Sequence, residues 1–165
     1  MKRVIYARRG GLDAIEIIQD DNPIPAAGQV RIEVHRAGIN FADLMMRQGL
    51  YGGAPDFPFT PGYEVSGIVR ERGHDVDHVA VGDRVVALTG FGGYAEQVVV
   101  DSDRVWPLPE QVSFDAAAAM PVTYLTAHHM LVHLGNLKPG DTILVHHAAG
   151  GVGTATAQLA KALDA

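Results

Sequence analysis

The residues with the clearest chemical implication stand near the end of the chain, in His146-His147-Ala148-Ala149-Gly150-Gly151-Val152-Gly153. Small residues in the order Ala-x-Gly-x-x-Gly let a chain pass from a strand into a helix while its backbone N–H groups face an anion at the helix N-terminus. That arrangement seats the pyrophosphate of a dinucleotide. Ala149, Gly150, Gly151, Val152 and Gly153 are therefore candidate cofactor-binding residues. The same letters also serve a turn that joins a strand to a tightly packed helix, and Ala148 stands where glycine is more common. The residue that reads the adenosine ribose is expected roughly 20 positions further on. The chain ends twelve residues after Gly153.

Eight histidines and no cysteine form the second chemical inventory. Without thiolates, a metal site would have to be built from imidazoles and carboxylates. His129 and His133 lie one helical turn apart, but Met130-Leu131-Val132 between them lacks the glutamate of a His-Glu-x-x-His site. No metal is expected. His128, His129 and His133 read as solvent-facing or hydrogen-bonded helix residues, and His146 and His147 as pointing to opposite sides at a strand end.

Positioning these groups falls to two kinds of sequence. Up to about residue 110, short strand patterns (Val4 to Ala7, Val30 to Arg36, Val65 to Val69, Arg84 to Leu88, Tyr94 to Val100) alternate with turns rich in Gly, Pro, Asp and Asn. This half reads as mostly β, a partly open barrel. It is interrupted by a short helical pattern from Asn40 to Gln48, ended by Gly49. Ser113 then caps a first short helix, and Pro121 breaks the chain before a second at about Thr123 to Leu134, closed by Gly135-Asn136. Thr142 to His146 reads as a buried strand of the parallel type, and Ala155 to Leu163 as a helix.

Bulk properties narrow the function classes. A chain of 165 residues supports one domain with a real core, burying roughly 70% of its unfolded surface. A net charge of −6 without a block of Lys or Arg speaks against nucleic acid or an anionic membrane as the main partner. No stretch approaches the roughly 20 apolar residues of a membrane-spanning helix. The start carries no signal-peptide run, which makes the cytoplasm the expected address.

Six stretches in series carry a resemblance. They are Ala37-Gly38-Ile39-Asn40-Phe41-Ala42-Asp43, Gln48-Gly49-Leu50-Tyr51, Pro61-Gly62-Tyr63-Glu64-Val65-Ser66-Gly67, Val81-Gly82-Asp83-Arg84-Val85, Gly92-Gly93-Tyr94-Ala95-Glu96 and the glycine turn. In this order the chain resembles the medium-chain dehydrogenase/reductase superfamily, and within it the zinc-free quinone oxidoreductase branch that includes zeta-crystallin-like enzymes and vesicle amine transport protein homologues. The resemblance implies a mainly β, GroES-like partly open barrel with short helices over residues 1–120, the catalytic domain. Residues 121–165 would hold the first β-α unit of an incomplete Rossmann fold. It implies hydride transfer from NADPH to a quinone or another α,β-unsaturated carbonyl, a small-molecule substrate, and a homodimer in full-length relatives.

The same kinship suggests roles for residues. Zinc-dependent relatives carry a cysteine where Asn40 stands and a histidine where Tyr63 stands, so no catalytic metal is implied. Asn40 would hydrogen-bond the cofactor or the substrate carbonyl; alternatively its amide caps the helix that begins at Phe41. Asp43 reads as a helix-end or internal hydrogen-bonding residue. Tyr51 would sit near the substrate, Tyr63 would line the same region, and Glu64 would be structural. Thr126 matches a threonine that contacts the cofactor near its nicotinamide end, the alternative being a hydroxyl bonded back to its own helix. The resemblance implies that the remainder of the nucleotide fold is absent from this chain, so the piece is expected to be a fragment with little or no activity alone. A non-catalytic truncated product or binding module, and an enoyl reductase segment of a polyketide synthase, stay open as alternatives; the Met1 start favours a stand-alone enzyme over the latter.

Overall fold

Val30, Ile32 and Val34 alternate with Arg31, Glu33 and His35, and a period of two puts one set on one face of a strand. The computed structural model, which describes residues 1–165, shows that strand as β3, Gln29–Ala37, with Val30 and Ile32 fully buried. The chain divides into two compact units, Met1–Ala119 and Met120–Ala165.

In the first unit β1 (Lys2–Tyr6) pairs antiparallel with β2 (Ile15–Gln19), Lys2 opposite Gln19 and Tyr6 opposite Ile15. A five-stranded antiparallel sheet follows, built from β3, β4 (Glu64–Arg72), β5 (Arg84–Leu88), β6 (Gln97–Asp101) and β7 (Val105–Pro107) in the order β6-β3-β4-β5-β7. The fold is mainly β, with short helices and no closed barrel: β6 and β7 stay as edges, and single bridges from Arg3 to Ala95 and from Tyr6 to Phe59 connect to the β1-β2 hairpin. Core valines of these strands (Val30, Val65, Val69, Val85, Val98, Val105), with Ile32, form the main apolar cluster.

Two helices belong to this unit. α1 (Phe41–Arg47) is inserted between β3 and β4, and α2 (Phe114–Ala118) begins where the Ser113 hydroxyl accepts the Ala116 N–H at 3.1 Å. Ser66 Oγ donates to the Phe114 carbonyl at 2.7 Å, fastening α2 to β4. A second apolar cluster gathers Tyr6, Met46 and Phe59 with Phe57, Tyr63 and Phe91, so α1 is held by its buried Met46.

The second unit is helical. α3 (Pro121–His128) starts with proline at its first position, where the missing N–H costs nothing, two residues ahead of the expected Thr123. It runs on as a π-helix over His129–Leu134, in which the Gly135 N–H donates to the Met130 carbonyl at 2.8 Å. α4 (Gly151–Ala162) packs on α3, with the Tyr124 hydroxyl donating to Gln158. The expected strand from Thr142 to His146 does not form. Residues 141–145 have no regular structure and Leu144 is 85% exposed. A parallel strand is defined by its neighbours, and the second unit contains no other strand. Of the expected β-α unit, the turn and α4 are present. His146 and His147 consequently lie in a turn, with His147 at φ 54°, and do not alternate across a strand end.

Candidate active site

Most of the polar residues singled out in the first unit converge around α1. The chain leaves β3 in extended conformation, and Asn40 (φ −113°, ψ 152°) becomes the N-cap of α1, forming a capping box with Asp43. Asp43 Oδ2 accepts the Asn40 backbone N–H at 2.8 Å and, on the same oxygen, the Tyr94 hydroxyl at 2.8 Å. The Asn40 side-chain nitrogen donates to Glu64 Oε1 at 2.8 Å. Asp43 and Glu64 are each only 1% exposed. The two roles considered for Asn40 are therefore compatible: it starts the helix and also presents a carboxamide fixed by a buried carboxylate.

Tyr63 stands one residue before β4, its ring 5.4 Å from that of Phe91 and its hydroxyl 3.6 Å from Met46 Sδ. Burial, the neighbouring Tyr51 phenol and the Asp43 charge push the Tyr63 hydroxyl up to about 12. Burial and the hydrogen bond to Asp43 raise the Tyr94 phenol as well, and Tyr6 is raised by burial and by Asp43 against the opposing charge of Arg47. Tyr63 and Tyr94 thus stay neutral hydrogen-bond donors across the physiological range. Tyr51, 43% exposed in the turn after α1, interacts with Tyr63. Asn40, Tyr51 and Tyr63 accordingly share one neighbourhood in the first unit. An open groove of about 450 Å³ in the same unit, lined by Val4, Val34, Arg36 and Ile39, touches this group only through Tyr94.

Thr126 and the glycine turn belong to the second unit. Thr126 is exposed on α3. Gly150 is the N-cap of α4 (φ −77°, ψ 170°), its N–H turned back to the His147 carbonyl at 2.9 Å. The first-turn N–H groups of Gly151, Val152 and Gly153 have no acceptor within the helix. The glycines are not equivalent. A Cβ at Gly153 would lie 2.5 Å from the His147 carbonyl oxygen and 2.6 Å from Ala148 Cα, and one at Gly151 would lie 2.9 Å from Thr123 Cγ2; at Gly150 the nearest atom would be 3.4 Å away. Two glycines therefore let the turn and α3 close on α4, while Gly150 leaves open space.

The Asp43–Tyr94 bond has no signal in the sequence, where Tyr94 stands in a glycine-rich stretch and at the start of a strand pattern, 51 residues from its partner. No group of three or more His, Asp or Glu side chains is arranged to hold a metal ion. No helix is long and apolar enough to cross a membrane.

An open antiparallel sheet with a helix let in between its two long strands, and buried carboxylates at the mouth of that insertion, defines a GroES-like β domain. Residues 26–110 match the alcohol dehydrogenase GroES-like domain. The chain is 45% identical, over 164 residues, to the synaptic vesicle membrane protein VAT-1 homolog of Danio rerio, covering 99% of this chain and 34% of that protein. Among solved structures it superposes on the human synaptic vesicle membrane protein VAT-1 homolog-like protein with a TM-score of 0.95 at 40% identity, over 99% of this chain and 53% of that one. It superposes on the Escherichia coli quinone oxidoreductase complexed with NADPH with a TM-score of 0.92 at 35% identity, over 99% of this chain and 50% of that one. The chain belongs to the alcohol dehydrogenase GroES-like domain family of the medium-chain dehydrogenase/reductases. It spans about a third of the curated relative's length and about half of each solved chain.

Proposed function

We propose that this chain supplies the substrate-side domain and the first cofactor-binding corner of a metal-independent reductase that passes hydride from NADPH to a quinone or another α,β-unsaturated carbonyl. The observation that carries the reading is the turn at the head of α4, where the first-turn amides lack helical acceptors and a Cβ at Gly150 would meet nothing closer than 3.4 Å. The likeness to the Escherichia coli quinone oxidoreductase complexed with NADPH supports the choice of cofactor and acceptor.

The amides of Gly151 and Val152, with Ala149, Gly150 and Gly153 shaping their approach, would hold the pyrophosphate, and Thr126 would contact the cofactor toward its nicotinamide. Bound there, NADPH supplies the hydride. Asn40, held by Glu64, hydrogen-bonds the cofactor or the carbonyl. Tyr63, held neutral by burial, would orient the carbonyl as a hydrogen-bond donor, and Tyr51 would give a proton to the oxygen that becomes anionic on reduction and take one back from solvent. The working form would be a cytoplasmic homodimer.

The test compares residues 1–165 with a chimera joining them to the remaining half of the Escherichia coli quinone oxidoreductase. Titration followed by cofactor fluorescence is expected to leave the isolated chain unsaturated at about 1 mM NADPH, a binding energy weaker than about 4 kcal/mol. The chain spans about half of that enzyme's length, and the other half is expected to supply further cofactor contacts. The chimera is expected to bind and to reduce phenanthrenequinone. A folded chimera that binds NADPH yet reduces neither quinone nor enone sinks the proposal.

A further inference from the structure

Away from that site, three exposed imidazoles crowd the junction of α3 and its π-helical continuation. The rings of His129 and His133 lie 5.4 Å apart, centre to centre, at 37°, and His128 meets the same His133 ring at 5.4 Å and 67°. The winding brings them together: the π-helix spans His129–Leu134, and its bond from Gly135 N–H to Met130 O reaches back five residues. Two imidazole nitrogens about 2.0–2.1 Å from one tetrahedral ion place their ring centres about 5 Å apart. Both spacings are close to that value, and of the two pairs His129–His133 has the i, i+4 separation that sets two side chains one above the other on a helix face.

We propose that His129 and His133 form a two-imidazole chelate for a first-row divalent cation, the rest of its coordination shell being filled by water. The residues between them, Met130, Leu131 and Val132, offer no carboxylate, so the pair binds an ion without a general base beside it and no hydrolytic step follows. Nothing in this assignment depends on the reductase reading. The two donors sit on adjacent turns, so a bound ion cross-links the π-helical segment.

Calorimetric titration of the 165-residue chain with Co²⁺, Ni²⁺, Cu²⁺ and Zn²⁺ tests it. One ion per chain is expected, with affinity rising from Co²⁺ through Ni²⁺ to Cu²⁺ and lower again for Zn²⁺. His129→Ala and His133→Ala should each weaken Cu²⁺ binding by at least roughly tenfold, because the second contact is no longer intramolecular. His128→Ala should change it by less than about twofold, since it is not a donor of the pair. All three side chains are exposed, so the variants should keep the parent circular dichroism spectrum. Unchanged binding in a His129→Ala/His133→Ala double variant overturns the proposal. So does a loss that follows His128 while His129→Ala is silent.

Discussion

Gly67→Ala is expected to destabilise the first unit severely. Gly67 lies in β4, opposite Val34 of β3 on one side and Val85 of β5 on the other. A Cβ there would sit 1.9 Å from the Glu33 carbonyl oxygen and 2.9 Å from its carbon. Those are backbone atoms of the neighbouring strand, so no side-chain rotation relieves the overlap. Relief requires β3 and β4 to part, and these strands bury Val30, Ile32, Val65 and Val69 between them. A cost above about 4 kcal/mol places the change in the extreme tail of single substitutions and removes from roughly a quarter to four-fifths of a domain stability of about 5–15 kcal/mol. Denaturant melts and proton NMR dispersion measure it; a variant with native dispersion and an unshifted midpoint would show that the β3-β4 contact is not as close as described.

Asp43→Ala is the second large expectation. The carboxylate accepts from the Asn40 backbone and from Tyr94, and its side chain is buried with both partners beside it. Removing it deletes the helix-start bond and leaves two donors without their acceptor, a loss of about 3 kcal/mol once the relief of desolvating the charge is counted. Asp43→Asn, which keeps an acceptor oxygen and the volume, should lose less than half of that. Tyr94 provides an independent reading. Its phenol is raised by burial first and by Asp43 next, so in Asp43→Ala alkaline absorbance should show it ionising at lower pH than in the parent, yet still above an ordinary phenol. An unmoved Tyr94 together with a stability loss below about 1 kcal/mol would mean that the bond contributes little.

The sequence disclosed what depends on neighbours along the chain. β3 followed from the alternation of Val30, Ile32 and Val34, α2 from Ser113, and α1 from the Asn40 to Gln48 pattern. β2 escaped notice because Ile17 is 71% exposed, so its residues do not alternate in burial. β7 is three residues long and contains Pro107, both poor strand signals. Thr142 to His146 has the composition of a buried strand without the partners that would make it one. In the site, the motif around Asn40 was legible, whereas Tyr94 reaches Asp43 across 51 residues of sequence and Tyr63 comes near Tyr51 where Met46 of α1 packs into the cluster that also holds Tyr63. Such contacts are set by the sheet, and nothing local announces them.

The unequal glycines of the α4 turn separate two properties that substitutions usually entangle. A methyl group at position 153 or 151 meets the turn backbone or Thr123, so any change in ligand affinity there is mixed with damage to the unit. At position 150 the methyl meets nothing closer than 3.4 Å and the backbone angles suit any residue. Gly150→Ala should therefore melt within about 0.5 kcal/mol of the parent, and weaker NADPH binding by the same variant in the chimera would report the loss of open space for the phosphates. Glycines of one turn thus carry different physical constraints: Gly151 and Gly153 are required by the packing of the turn, whereas Gly150 is required only where a ligand has to approach.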